Sequence, residues 1–98
     1  MKILHIEDEP SWRDLISAFL DDHLITPAAT LQKALELITR ETFDLIICDR
    51  SIETKNDGIM FTYRLVKKGH EVVMLSGTPP SEAPWPCLSK KDATSRKA

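Results

Sequence analysis

The chain has 98 residues, enough for one hydrophobic core but not two. Hydrophobic residues make up 42% and charged residues 29%, an ordinary globular balance, and a formal net charge of -2 gives no general drive toward nucleic acid or an anionic membrane. The opening segment MKILHIEDE turns acidic too early for a signal-peptide core, and no apolar run approaches a membrane span. Cys48 and Cys87 have no metal-ligand neighbours at zinc spacing, and both are expected reduced. A single cytoplasmic domain over residues 1–98, with no second domain, is the expectation.

Strand and helix signals alternate along the chain. Lys2 to Ile6 reads as a short apolar strand, and Pro10 suits the first turn of a helix, where its missing N–H costs nothing. Trp12, Leu15, Ile16 and Phe19 then recur at helical spacing, opposite Asp14, Asp21 and Asp22. Ile25 to Ala29 is a weak strand, and Pro27 places it at a sheet edge. Thr30 is the expected N-cap of a second helix through Leu31, Ala34, Leu35 and Ile38. Phe43 to Cys48 is the strongest strand, apolar without alternation, as in the centre of a parallel sheet. Asn56-Asp57-Gly58 marks a turn, and a third helix runs from about Ile59 to Lys68, capped by Gly69. Met60 and Phe61 are both expected in the core. Glu71 to Leu75 is a further strand.

After that strand the rhythm breaks. Pro79, Pro80, Pro84 and Pro86 prevent a long regular helix, and Trp85 to Ser89 reads as a short last strand. Lys90, Lys91, Arg96 and Lys97 supply four of the thirteen basic residues in a solvated C-terminal stretch. Alternating strands and helices imply right-handed βαβ units: the fold class is α/β, doubly wound around a parallel sheet.

The chemistry sits at strand ends. Glu7-Asp8-Glu9 follows the first strand, Asp49 closes DLIICD, and Ser76 and Lys90 follow the last two. In an open α/β sheet, ligands bind outside the carboxyl ends of the strands. Two or three carboxylates there can hold Mg²⁺, Asp49 can act as an aspartyl nucleophile, and a hydroxyl with a cation can hold phosphoryl oxygens. Each feature also has a plain structural explanation. Acidic residues complement a helix dipole, an Asp or Ser-Gly starts a turn, and a lone lysine solvates a surface. The coincidence of all four at strand ends is what favours phosphoryl chemistry.

These motifs resemble the receiver domain of two-component response regulators. ILHIEDEP is similar to the family's first strand and acidic pair, with Glu7-Asp8 in place of the usual two aspartates. DLIICD is similar to the third strand with its phosphoacceptor at Asp49. NDGIMF resembles the turn into the third helix, VVMLSG the fourth strand with Ser76 in the Thr/Ser position, and CLSKK the fifth strand with Lys90. The resemblance covers Met1 to about Lys91 and implies a flavodoxin-like, five-stranded parallel sheet in the order 2-1-3-4-5. It further implies that Asp49 takes a phosphoryl group from a sensor histidine kinase or phosphotransfer protein. Mg²⁺ would be held by Asp8, Asp49 and the carbonyl of Ser51, with Glu7 reaching it directly or through water. Ser76 and Lys90 would then engage the phosphoryl oxygens.

Departures from the family pattern bear on output. Only thirteen residues, rich in proline, separate Ser76 from Lys90, so the family's fourth helix is expected missing or reduced and its fifth truncated. The exposed edge would favour a homodimer. Cys87 stands where the family has its switch aromatic; Trp85 is expected to cap the core. The loop RSIETKNDG is one residue longer than the common form and lacks its proline, and Lys91 replaces the proline that often follows the lysine. The resemblance implies that Ser51 and Thr78 flank the path of attacking water.

The expectation is a stand-alone phosphoacceptor, not an enzyme, acting through an unidentified partner protein or as a phosphate sink. No nucleic-acid or membrane partner is expected. A pseudo-receiver that signals without phosphorylation is the alternative. An aspartyl phosphatase is disfavoured because Ser51 stands where its second Asp is needed, and a nucleotide site because the three glycines form no phosphate loop.

Overall fold

The structure, a computed structural model, describes residues 1–76 and 86–89. The chain order is β1 (Lys2–Ile6), α1 (Pro10–Phe19), β2 (Leu24–Ala28), α2 (Leu31–Arg40), β3 (Leu45–Asp49), α3 (Asp57–Lys67), β4 (Val72–Ser76) and β5 (Cys87–Ser89). All strands pair in parallel in one five-stranded sheet, ordered β2-β1-β3-β4-β5. This is the expected flavodoxin-like order. The expectations for the reduced fourth helix, Thr78, Trp85, Lys90, Lys91 and the shortened last helix fall on residues 77–85 and 90–98, outside the described residues.

The period-2 alternation of β1 sorts the helices onto two faces. Leu4 and Ile6 join Ile46, Cys48, Val72, Ala34, Phe61 and Leu65 in one cluster, under α2 and α3. Ile3 joins Ile47, Leu75 and Ile16 on the other face, under α1. An apolar cavity of about 230 Å³ opens on this second face, between Ile16, Phe19, Ile47, Leu75 and Leu88. Register also aligns sulfur atoms on the first face: Cys48 is opposite Met74, and Met74 opposite Cys87.

Local chemistry fixes the helix ends. Pro10 opens α1, and the Thr30 hydroxyl accepts the Lys33 amide at 3.1 Å to cap α2. At the end of α3, Gly69 has φ +94, a value L side chains avoid. Its N–H reaches the carbonyl of Val66 at 3.0 Å while His70 N–H reaches Leu65 at 3.0 Å, a Schellman closure.

Three expectations change. Phe43 lies before β3, because Asp44 accepts Lys2 N–H at 2.7 Å and donates its own N–H to Lys2 at 2.8 Å, which delays the ladder. Asp57 and Gly58 belong to α3 and not to a preceding turn. Met60 is 60% exposed while Phe61 is buried, since neighbours on a helix point about 100° apart and cannot share a face. Leu15 and Leu35 likewise point outward from their helices.

Candidate functional site

Chain order reverses between β1 and β3, so the loops leaving their carboxyl ends diverge and open a crevice. Three carboxylates meet there. Glu7 leaves β1, Asp8 follows it, and Asp49 ends β3; one oxygen from each lies within 4.8 Å of the others. Glu7 is 1% exposed and Asp49 8%, whereas Asp8 reaches solvent. A bound cation would offset this crowding of like charge, and an all-oxygen donor set suits a hard ion such as Mg²⁺.

Backbone and side-chain bonds hold the two loops. Glu7 N–H binds the carbonyl of Ala28 at 2.9 Å, and the Arg13 guanidinium binds the carbonyl of Glu7 at 2.8 Å, tying α1 to the acidic loop. An oxygen of Glu7 also accepts the Glu9 N–H at 3.4 Å. Across the crevice, Asp49 Oδ1 accepts the Arg50 N–H at 2.8 Å. Ser76 is buried at the end of β4, one strand over from Asp49, and is paired in register with Ser89 of β5. Ser51 is half-buried, its hydroxyl accepting the Asn56 N–H at 2.8 Å. Thus Glu7, Asp8 and Asp49 converge, Ser76 and Ser51 flank them on the same sheet edge, and Lys90 lies outside the described residues.

Two residues important to this geometry were not singled out by their sequence. Gly58 brings α3 against the end of β3: its N–H binds the Arg50 carbonyl at 2.9 Å, and a Cβ there would lie 1.8 Å from the Asp49 carbonyl oxygen. Asp57 accepts the amides of Ile52, Glu53 and Thr54 at 2.6, 2.9 and 3.0 Å. Burial opposes its ionisation, but the N–H groups of Ile52, Thr54, Glu53 and Gly58 outweigh burial and hold the carboxyl below its usual range. The only sequence signal for either was Asn-Asp-Gly, which reads as a turn.

Behind Asp49, Cys48 is fully buried, and its thiol donates to the Asp49 carbonyl at 3.3 Å. Burial pushes this thiol up to about 12, against the lowering hydrogen bond of Thr62 and with help from Asp49, Asp57 and Glu7. It is packing, not a nucleophile.

The sequence profile described as response regulator receiver domain matches residues 3–89. Among solved structures, the chain is similar to the response regulator TrrA from Thermotoga maritima in complex with Mg²⁺-BeF, at 25% identity and TM-score 0.71, covering 79% of this chain and 70% of that one. It is similar to the BeF3-activated N-terminal receiver domain of RstA from Klebsiella pneumoniae, at 25% identity and TM-score 0.78, covering 92% and 86%. A structure of TrrA with the histidine kinase ThkA aligns at 21% identity and TM-score 0.77, covering 90% and 84%. A comparison with curated proteins returns no match.

Proposed function

We propose that this chain, which belongs to the response regulator receiver domain family, accepts a phosphoryl group on Asp49 from a histidine kinase or phosphotransfer protein and signals through a partner protein. The observation that carries this reading is the convergence of Glu7, Asp8 and Asp49 within 4.8 Å at the switch point of the sheet. The capture of the similar TrrA with a kinase, and of TrrA and RstA with beryllofluoride, supports the choice of donor and chemistry.

A carboxylate oxygen of Asp49 attacks phosphorus as the bond to the donor's nitrogen breaks, leaving an acyl phosphate on Asp49 and a neutral donor imidazole. Asp8, Asp49 and the Ser51 carbonyl would hold Mg²⁺, with Glu7 beside it; when bound, Mg²⁺ offsets charge on the phosphoryl oxygens. Burial of Asp49 excludes bulk water and keeps its attacking oxygen oriented, since Oδ1 is engaged by the Arg50 N–H. Ser76 donates its hydroxyl to a phosphoryl oxygen, and Lys90 supplies a point charge to another. The phosphorylated surface of this domain is what the partner protein reads.

Intact mass after incubation with Mg²⁺ and acetyl phosphate tests this. One added phosphoryl group that requires both Mg²⁺ and Asp49 (absent in Asp49→Asn) is the expected result. No adduct and no Mg²⁺ binding would leave a receiver-shaped interaction module.

A further inference from the structure

The segment between Asp49 and α3 is held by side-chain hydrogen bonds to its own backbone. It contains no proline to fix φ, and Asn56 adopts a left-handed conformation at φ 64. Three successive amides, those of Ile52, Glu53 and Thr54, turn toward one point, and the Asp57 carboxylate fills it at 2.6, 2.9 and 3.0 Å. Successive N–H groups aimed at a common centre form an anion-binding nest; here the anion is the chain's own side chain. The loop is closed around this nest by Asn56 N–H on Ser51 Oγ at 2.8 Å, Arg50 Nε on Asn56 Oδ1 at 2.8 Å, and Gly58 N–H on the Arg50 carbonyl at 2.9 Å.

Ser51 lies between Asp49 and the first clamped amide, so the direction of its carbonyl is set by the two anchors on either side of it. We propose that Asp57 is a positioning residue for the cation site: by binding the amides of residues 52–54 it fixes the carbonyl of Ser51 toward the crevice formed by Glu7, Asp8 and Asp49. The inference rests on reading that crevice as a Mg²⁺-dependent phosphoacceptor site. Asp57 itself touches neither the cation nor the phosphoryl group. Its part is taken by charge-assisted hydrogen bonds, roughly twice as strong as neutral ones, in a loop that lacks a rigid ring.

An asparagine at this position keeps the shape and loses the function, because one of its two heads is an N–H donor facing backbone donors. Groups that orient metal ligands from outside the coordination sphere typically change metal affinity by roughly 10–100-fold when replaced. We therefore expect Asp57→Asn to weaken Mg²⁺ binding by at least about tenfold, measured by titration of tryptophan fluorescence, and to slow acetyl phosphate labelling in subsaturating Mg²⁺. High Mg²⁺ should restore labelling.

Leu65→Ala is the control. Leu65 is buried in the core about two turns further along the same helix, so this variant loses stability while the Asp57 carboxylate itself is unchanged. Its Mg²⁺ affinity should stay within about twofold of wild type, a change too small to involve a ligand-orienting group. Equal weakening in Leu65→Ala and Asp57→Asn would make Asp57 merely structural and overturn the proposal, as would wild-type Mg²⁺ affinity in folded Asp57→Asn. Wild-type protein that binds no Mg²⁺ would overturn the underlying site reading instead, and the positioning role with it. Should Asp57→Asn not fold, amide exchange in wild type decides the matter: Ile52, Glu53 and Thr54 must exchange slowly without Mg²⁺, and rapid exchange would overturn the clamp.

Discussion

Replacing Gly58 by alanine tests how tightly α3 is seated on the end of β3. Helix propensity alone predicts a gain, since alanine is favoured over glycine inside a helix by up to about 1 kcal/mol. The geometry predicts the opposite sign. The new Cβ would stand 1.8 Å from the Asp49 carbonyl oxygen, 2.8 Å from that of Arg50 and 2.9 Å from the Arg50 carbonyl carbon. All three are backbone atoms that no rotamer change can move. Ordinary contact begins near 3.4 Å, so the helix start must retreat by about 1.6 Å, the difference between 3.4 and 1.8 Å. Overpacking of this kind costs about 1–3 kcal/mol, and a buried Gly58 N–H pulled from the Arg50 carbonyl adds about 1–3 kcal/mol. After the propensity gain, a net loss of about 1–5 kcal/mol is expected, a large share of the stability of a small domain. Guanidinium unfolding followed by tryptophan fluorescence measures it. Gly69→Ala gives the contrast, with φ +94 but open space around the site; it should lose only the left-handed penalty of about 1–2 kcal/mol. A Gly58→Ala protein as stable as wild type, or more so, would refute the close-approach argument.

Two pH effects follow from the same neighbourhood. Asp57 ionises more readily in the folded chain than its ordinary value of 3.8, so its stabilisation is complete above that pH and is lost as acid protonates it; Asp57→Asn should flatten the acid limb of a stability-against-pH curve. Cys48 is shifted the other way, from 9.0 to about 12, so its stabilisation is complete below pH 9 and is lost between pH 9 and 12, at up to about 1.4 kcal/mol per pH unit. Cys48→Ala should remove this alkaline slope. At pH 8, iodoacetamide should modify Cys87 in the native protein and reach Cys48 only after denaturant is added.

Much of the fold was legible because its signals are local. Pro10, Thr30 and Gly69 each fix a helix end through their own backbone chemistry, and each end lies where the sequence puts it. The apolar run around Ile46 identified a central strand, but its first residue depended on Asp44 bonding to Lys2 across the sheet, a long-range contact. Met60 points outward because adjacent helix positions lie about 100° apart and Phe61 takes the buried face. Glu7, Asp8 and Asp49 were legible as a group because parallel topology delivers strand ends to one edge. Asp57 was not, since its partners are three main-chain amides that carry no side-chain identity.

The sulfur row across β3, β4 and β5 has a consequence for oxidation. Cys48 and Cys87 face the same register position with Met74 on the strand between them. Adjacent strands lie about 4.8 Å apart, so the two cysteine backbones are separated by roughly 9–10 Å, beyond the roughly 7 Å that a disulfide can span. An intact fold thus keeps its two thiols from joining each other. An internal disulfide would therefore record that β5 had left its place at the edge of the sheet.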